Sequence, residues 1–181
     1  MYDFDDAEEQ KTWNVIPNST LVKVKLNIKD GEFGEGNIIS QSDSGFEYFL
    51  LEAKVLTGPF AGRKVWQNIG VGGTTEGHRK AVQIARSLLR GILESSRDVL
   101  TKDDSPEARK KRRIDSYAEL IGMVFVAELG IKNGNNFIKR AITPEHPKYR
   151  EKMAEKSPED DFFSQEVPSV GPDELIPDWA K

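Results

Sequence analysis

The chain has no cysteine and only two histidines among its 181 residues. Disulfides and thiolate metal sites are thereby excluded. His78 and His146 stand far apart with no ligand-like neighbours, which argues against a zinc site or histidine-based catalysis. No apolar run approaches the roughly 18 residues that a membrane span needs, and the opening MYDFDDAEEQ is acidic, unlike a secretory leader. No nucleophile stands beside a recognisable base and orienting group, so the chain does not read as an enzyme. These absences predict a cytoplasmic protein without membrane attachment, metal or cofactor. Apolar residues are also sparse, 37% against 31% charged, which fits one ordinary core with solvated ends rather than two domains.

What is present is charge, and it is segregated. Seven acids in residues 157–181 face Lys181 alone, leaving −6 there, and the first ten residues hold five acids and no base. Since the whole chain carries −4, residues 11–156 carry +7. A basic body between acidic ends is the pattern of a polyanion binder with a separate tail. The division read from this is an acidic arm over 1–17, a domain over 18–147 and an acidic tail over 148–181, with Trp13, Val15 and Ile16 as anchors of the arm.

Within the body, Val22, Val24, Leu26 and Ile28 alternate with Lys23, Lys25, Asn27 and Lys29, a period of two that predicts a strand over about 21–29. After a glycine- and serine-rich stretch, FEYFLLEAKVLTGPFAGRKVWQN carries two further alternating runs around the turn 57–62, where Pro59 and Gly62 suit a short reversal. Side chains alternate along a strand. Phe49, Leu51, Ala53 and Val55 therefore share one face, and Phe46, Tyr48, Leu50, Glu52 and Lys54 the other. Val65 and Ile69 then oppose Lys64, Trp66 and Asn68. If the apolar set is the core, the outer face mixes aromatic rings, lysines and an amide, which suits bases and phosphates.

The glycine-rich stretch 70–79 fails as a phosphate loop. His78 and Arg79 stand where a Walker loop needs Lys and then Ser or Thr, and Thr75 replaces the third glycine of a dinucleotide fingerprint. It reads instead as a strand-to-helix turn capped by Thr74 or Thr75. A helix is predicted over about 76–96 from the stripe Ala81, Val82, Ala85, Leu88, Leu89, Ile92 and Leu93, with Arg79, Gln83, Arg86 and Arg90 on another face. The run Arg109, Lys110, Lys111, Arg112, Arg113 reads as contact with an anionic polymer or as a solvated loop. Residues 123–131 and 136–142 form a second hairpin about Asn133-Gly134.

Three strands, a helix and a two-stranded hairpin is the element order of a mainly β, five-stranded Greek-key barrel of the OB-fold type, with its long helix between the third and fourth strands. The residues also resemble the small single-stranded-DNA-binding-like proteins encoded by phages and mobile elements. The resemblance rests on the alternating first strand, on LLEAKVLTGPFAGRKVWQN, and on LIGMVFVAEL followed by NGNNFIKRAITP, across roughly 13–147. It implies sequence-tolerant binding of single-stranded DNA during replication or recombination in a host cytoplasm. Tyr48 and Trp66 would stack on bases; Lys54, Arg63 and Lys64 would meet phosphates, with Lys23, Lys25, Lys139 and Arg140 as an outer track. A homo-oligomer is compatible with this reading.

The tail is similar to the partner-docking tails of bacterial single-strand binders, with Leu175, Ile176 and Trp179 following Asp173 and Glu174. It departs from them by ending Trp179-Ala180-Lys181. Docking of replication or recombination proteins is implied by the resemblance; from charge alone, the tail can instead occupy the basic body. The alternative from another class is a protein-interaction module, such as a phage adaptor or inhibitor, because barrels of this kind host many functions.

Overall fold

Strand β1, Thr20–Ile28, forms where the alternation is cleanest. Val22, Val24, Leu26 and Ile28 are buried while Lys25 and Asn27 are exposed. A computed structural model describes residues 14–31 and 37–158 of the chain, so the expected arm up to Trp13 and the tail residues Leu175, Ile176 and Trp179 lie outside the described residues. After the two-residue strand β2, Ser40–Gln41, come β3, Glu47–Val55, and β4, Lys64–Gly72. Their connection is a 3-10 turn over Gly58–Phe60, in which Gly58 and Gly62 adopt φ of 74° and 84°. Those left-handed values suit glycine because it lacks a Cβ.

Helix α1, Glu76–Ser96, starts at Thr75. The Thr75 hydroxyl accepts from the His78 backbone N–H at 3.1 Å, so Thr75 is the cap of the expected pair. Ala85, Leu89, Ile92 and Leu93 press the apolar stripe against the sheet. The segment after α1 is folded, with a short helix α2, Pro106–Lys111, and a 3-10 turn over Tyr117–Leu120. Strands β5, Val124–Lys132, and β6, Asn135–Ile142, form the second hairpin about Asn133 and Gly134, whose φ values of 49° and 75° fit the twist of a two-residue reversal.

All pairings are antiparallel. β1 and the short β2 share one edge of β3 and β4 takes the other, so the order across the sheet is β4, β3, β1, β5, β6. The sheet is open between β4 and β6, which share no ladder. Across that gap the Ile138 N–H donates to Gln67 Oε1 at 2.9 Å. The concave side holds one core, with Val24, Leu26, Phe49, Leu51, Val65, Ile69, Phe125 and Leu129 closed by α1. Burying such a side chain stabilises by about 1.5–3 kcal/mol.

At its N-terminal end the body takes in the expected anchor Ile16 while Val15 is exposed, and at its C-terminal end it continues past residue 147. Ile16 is buried, and the Asn136 side chain clamps it by accepting from its N–H at 2.7 Å and donating to its carbonyl at 2.8 Å. Residues 149–154, expected in the tail, form helix α3, Tyr149–Ala154. Tyr149 packs against Val126 and Ile142, and its hydroxyl donates to the Ser95 carbonyl. Six residues are too few to display a helical period, so this docking left no pattern to read.

Candidate nucleic-acid interface

The convex side of β1, β3 and β4 carries the residues singled out above, and their register arranges them in rows. Lys25 pairs with Lys54, and Lys54 with Lys64, so three lysines cross three strands in one line. Like charges placed directly opposite one another work against a sheet. The cost falls when an anion lies along the row.

The next row is Asn27, Glu52 and Trp66. Glu52 is buried, with 5% of its surface exposed, whereas Trp66 is 52% exposed. The indole Nε1 donates to Glu52 Oε2 at 3.1 Å, and Lys64 and Lys29 approach the same carboxylate at 3.2 and 3.4 Å. Burial works to raise the Glu52 pKa, but the hydrogen bonds from Lys64 and Trp66 and the positive charge of Lys29 outweigh it and hold the group below its ordinary value. The ionised carboxylate thus fixes the edge of the indole.

Farther along, Leu50 faces Asn68 and Tyr48 faces Gly70. Tyr48 stacks on Phe46 with centroids 5.9 Å apart and planes 20° from parallel, and Phe46 meets His78 at 5.2 Å. A Cβ on Gly70 would lie 2.6 Å from Phe46 Cζ, so only glycine leaves room for that ring. At the opposite end of the wall, the Arg63 guanidinium sits 5.9 Å from the Phe60 ring centroid, a cation–π contact at the β3–β4 turn. Tyr48, Trp66, Lys25, Lys54 and Lys64 therefore share one continuous surface, with Arg63 at its rim. Sequence reasoning put Phe46, Glu52 and Lys29 on this face without giving them a role. The signal was the same alternation, together with a glycine opposite Tyr48.

Other expected cations are engaged elsewhere. Lys23 is half-buried and donates to the Glu155 carbonyl at 2.9 Å, because α3 crosses β1 at that point. This ammonium is part of the packing and is removed from the outer track. Lys139 and Arg140 both bind buried Glu128, at 2.9 and 2.5 Å. The ladder matches Glu128 to Arg140 and Leu129 to Ile138, so Lys139 is the extra residue of a bulge, and both cations reach one carboxylate. The Lys139 and Arg140 hydrogen bonds bring the Glu128 pKa down to about 2.

The run 109–113 also divides. Arg112 is half-buried, with Nε 2.7 Å from Glu94 Oε1 and its remaining nitrogens donating to the carbonyls of Asp103, Leu100 and Thr101. This cation is therefore neither solvated nor outward-facing but staples the segment to α1. Lys111 donates to the Arg97 carbonyl at 3.3 Å, while Arg109, Lys110 and Arg113 are exposed. On α1, Arg79 donates to the Thr74 carbonyl and Arg90 to Glu94, both within the fold, and Arg86 is exposed.

Among the described residues no group of three acidic or histidine side chains could hold a metal ion, and no helix is long and apolar enough to cross a membrane. No protein-family model matches this sequence, and neither does any curated protein.

Proposed function

We propose that the chain is a single-stranded-DNA-binding protein whose interface is the convex wall of β1, β3 and β4. One observation carries the reading: Trp66 stands half out of the surface, held at its edge by buried Glu52, directly beside the cross-strand row Lys25, Lys54 and Lys64. A ring fixed at one edge with an open face can stack on any base, and neighbouring ammonium groups can follow a phosphate chain, which is how sequence-tolerant single-strand binders work. A duplex hides those base faces, so single strands are favoured.

The same reading takes the sheet as an OB-type barrel. β1, β3, β4, α1, β5 and β6 follow its element order, and such barrels are partly open. The Gln67 contact to Ile138 spans the position where a full closure would place a ladder.

The acidic tail fits into this scheme by position. The last described residues run beside the lysine row, with Pro158 lining a small cleft together with Lys54 and Gly62. Glu155 fixes that exit by accepting from Thr57 Oγ1 at 2.6 Å, while its carbonyl holds Lys23. Seven acids thus follow a point adjacent to the cations, close enough to compete with DNA for them or to receive a partner protein. The deciding experiment is titration with single- and double-stranded oligonucleotides at several salt concentrations, read by tryptophan fluorescence in the wild type and in Trp66→Ala. Preference for single strands, steep salt dependence and quenching lost in the variant support the reading. Equal binding of both forms, or none, rejects it.

A further inference from the structure

At the Tyr48 end the wall does not stop at the sheet edge. Phe46 covers Gly70 and touches His78, the first residue of a line along adjacent turns of α1. His78, Val82, Arg86, Arg90 and Glu94 follow at a spacing of four, which places each beside the next on one helix surface. Gly70, Val82, Arg86, Arg90 and Arg112 also line a groove of about 570 Å³ between α1 and the segment around Tyr117. Gly70 therefore belongs to both surfaces, under Phe46 on one side and in the groove on the other.

Charge in the groove is positive. Its lining holds three guanidinium groups and no acid; Arg90 at 2.8 Å and Arg112 at 2.7 Å share the buried carboxylate of Glu94 behind it, and Asp103 also faces Arg112. Arg86, the third of them, is exposed. Arg112 has directed its nitrogens to protein acceptors, so Arg86 is the side chain best placed to move onto a ligand. Apolar Val71, Leu89 and Ile114 supply a floor against which a base can rest.

We propose that this groove is a second subsite for the same single-stranded nucleic acid, entered by nucleotides that have passed Tyr48 and Phe46, with Arg86 binding phosphate. The inference rests on the wall reading and extends the interface from the sheet to the helix. From His78 to Arg90 the helix adds about 18 Å of track. The acidic tail is the competing occupant. The described chain ends beside Lys54 and Gly62, about 20 Å along the strands from Gly70, a distance well within the reach of a segment as long as 159–181, so the test includes its removal.

The test compares oligothymidines of about six and about fifteen nucleotides, lengths inside the span that one such fold covers. Each is titrated by fluorescence anisotropy against the full chain and its Arg86→Glu and Arg86→Lys variants, with circular dichroism verifying the helix. Arg86→Glu is expected to weaken the longer oligomer about tenfold and to flatten its salt slope by about 0.7, with the shorter one unchanged and Arg86→Lys near wild type. Unchanged long-oligomer affinity, or equal loss at both lengths, overturns the groove while leaving the wall intact. Failure of the short oligomer to quench Trp66 overturns the wall and the groove with it. If the effect of Arg86→Glu disappears when residues 159–181 are removed, the occupant is the acidic tail and the proposal is overturned.

Discussion

Two places on the convex surface have the same ingredients and different consequences. At Glu52 and at Glu128 a buried glutamate from a central strand sits beneath two cations. Around Glu128 the pairs are short, 2.9 and 2.5 Å, and the bulge in β6 delivers both cations from one strand. Around Glu52 the distances are 3.2 and 3.4 Å, the cations come from β4 and the end of β1, and the carboxylate also holds an indole. The first arrangement consumes its cations in holding the hairpin together. In the second the lysines are loosely shared and an aromatic face is presented to solvent. Sites with similar composition thus differ in what remains available to a ligand.

The largest expected effect separates the two sites by binding. Trp66→Ala should weaken single-stranded oligonucleotide affinity by about 1–3 kcal/mol, near 5- to 150-fold, whereas Lys139→Ala should leave it within about twofold. Isothermal titration calorimetry of both variants checks this, and equal losses would erase the distinction.

Next comes acid stability. The folded pKa of Glu128 is lowered from 4.5 to about 2, so its contribution is present above about 4.5 and is lost as pH falls toward 2. Lys139 and Arg140 are half-exposed, and solvent screening reduces the effect to about 1–2 kcal/mol. Denaturant unfolding of the wild type and Glu128→Gln should show a gap of that size at pH 7 that narrows below about pH 4.5 and closes as pH falls to about 2. A gap independent of pH would mean that packing, not charge, sustains the site.

A smaller change is expected from removing residues 159–181, which should tighten oligonucleotide binding severalfold at low salt, with the advantage shrinking as salt screens the tail. Unchanged affinity at low salt counts against competition by the tail. The most delicate measurement concerns Glu52 itself. In Glu52→Gln, Lys29 and Lys64 lose their anionic partner, and the slope of log affinity against log salt should steepen by about 0.7 for each lysine that turns to phosphate. A flatter slope would show instead that the carboxylate orients those lysines for the ligand.

Much of the fold was legible because local patterns and tertiary demands agree. The period of two in β1, β3 and β4, the stripe of α1 and the Asn133-Gly134 reversal each specify an element without help from distant residues. The α1 limits match the structure, and the strands shift by a residue or so except at the end of β4. The outer face of the wall was legible for the same reason, since alternation places Tyr48, Lys54, Lys64 and Trp66 together once the apolar set is taken as core. Helix α3 was not, because one and a half turns give no period. Nor was the division of the cations, as Lys23 shows: its position in β1 repeats that of Lys25, yet one is tied to Glu155 and the other lies in the lysine row.

By itself the chain order of residues determined which side chains point outward and where positive charge accumulates, since both follow from local periodicity and composition. Which outward cations already have partners within the fold was decided only by tertiary structure. Their partners lie 18 residues away for Arg112 and 132 for Lys23, and a buried carboxylate's choice of cation depends on packing across elements that no local pattern records.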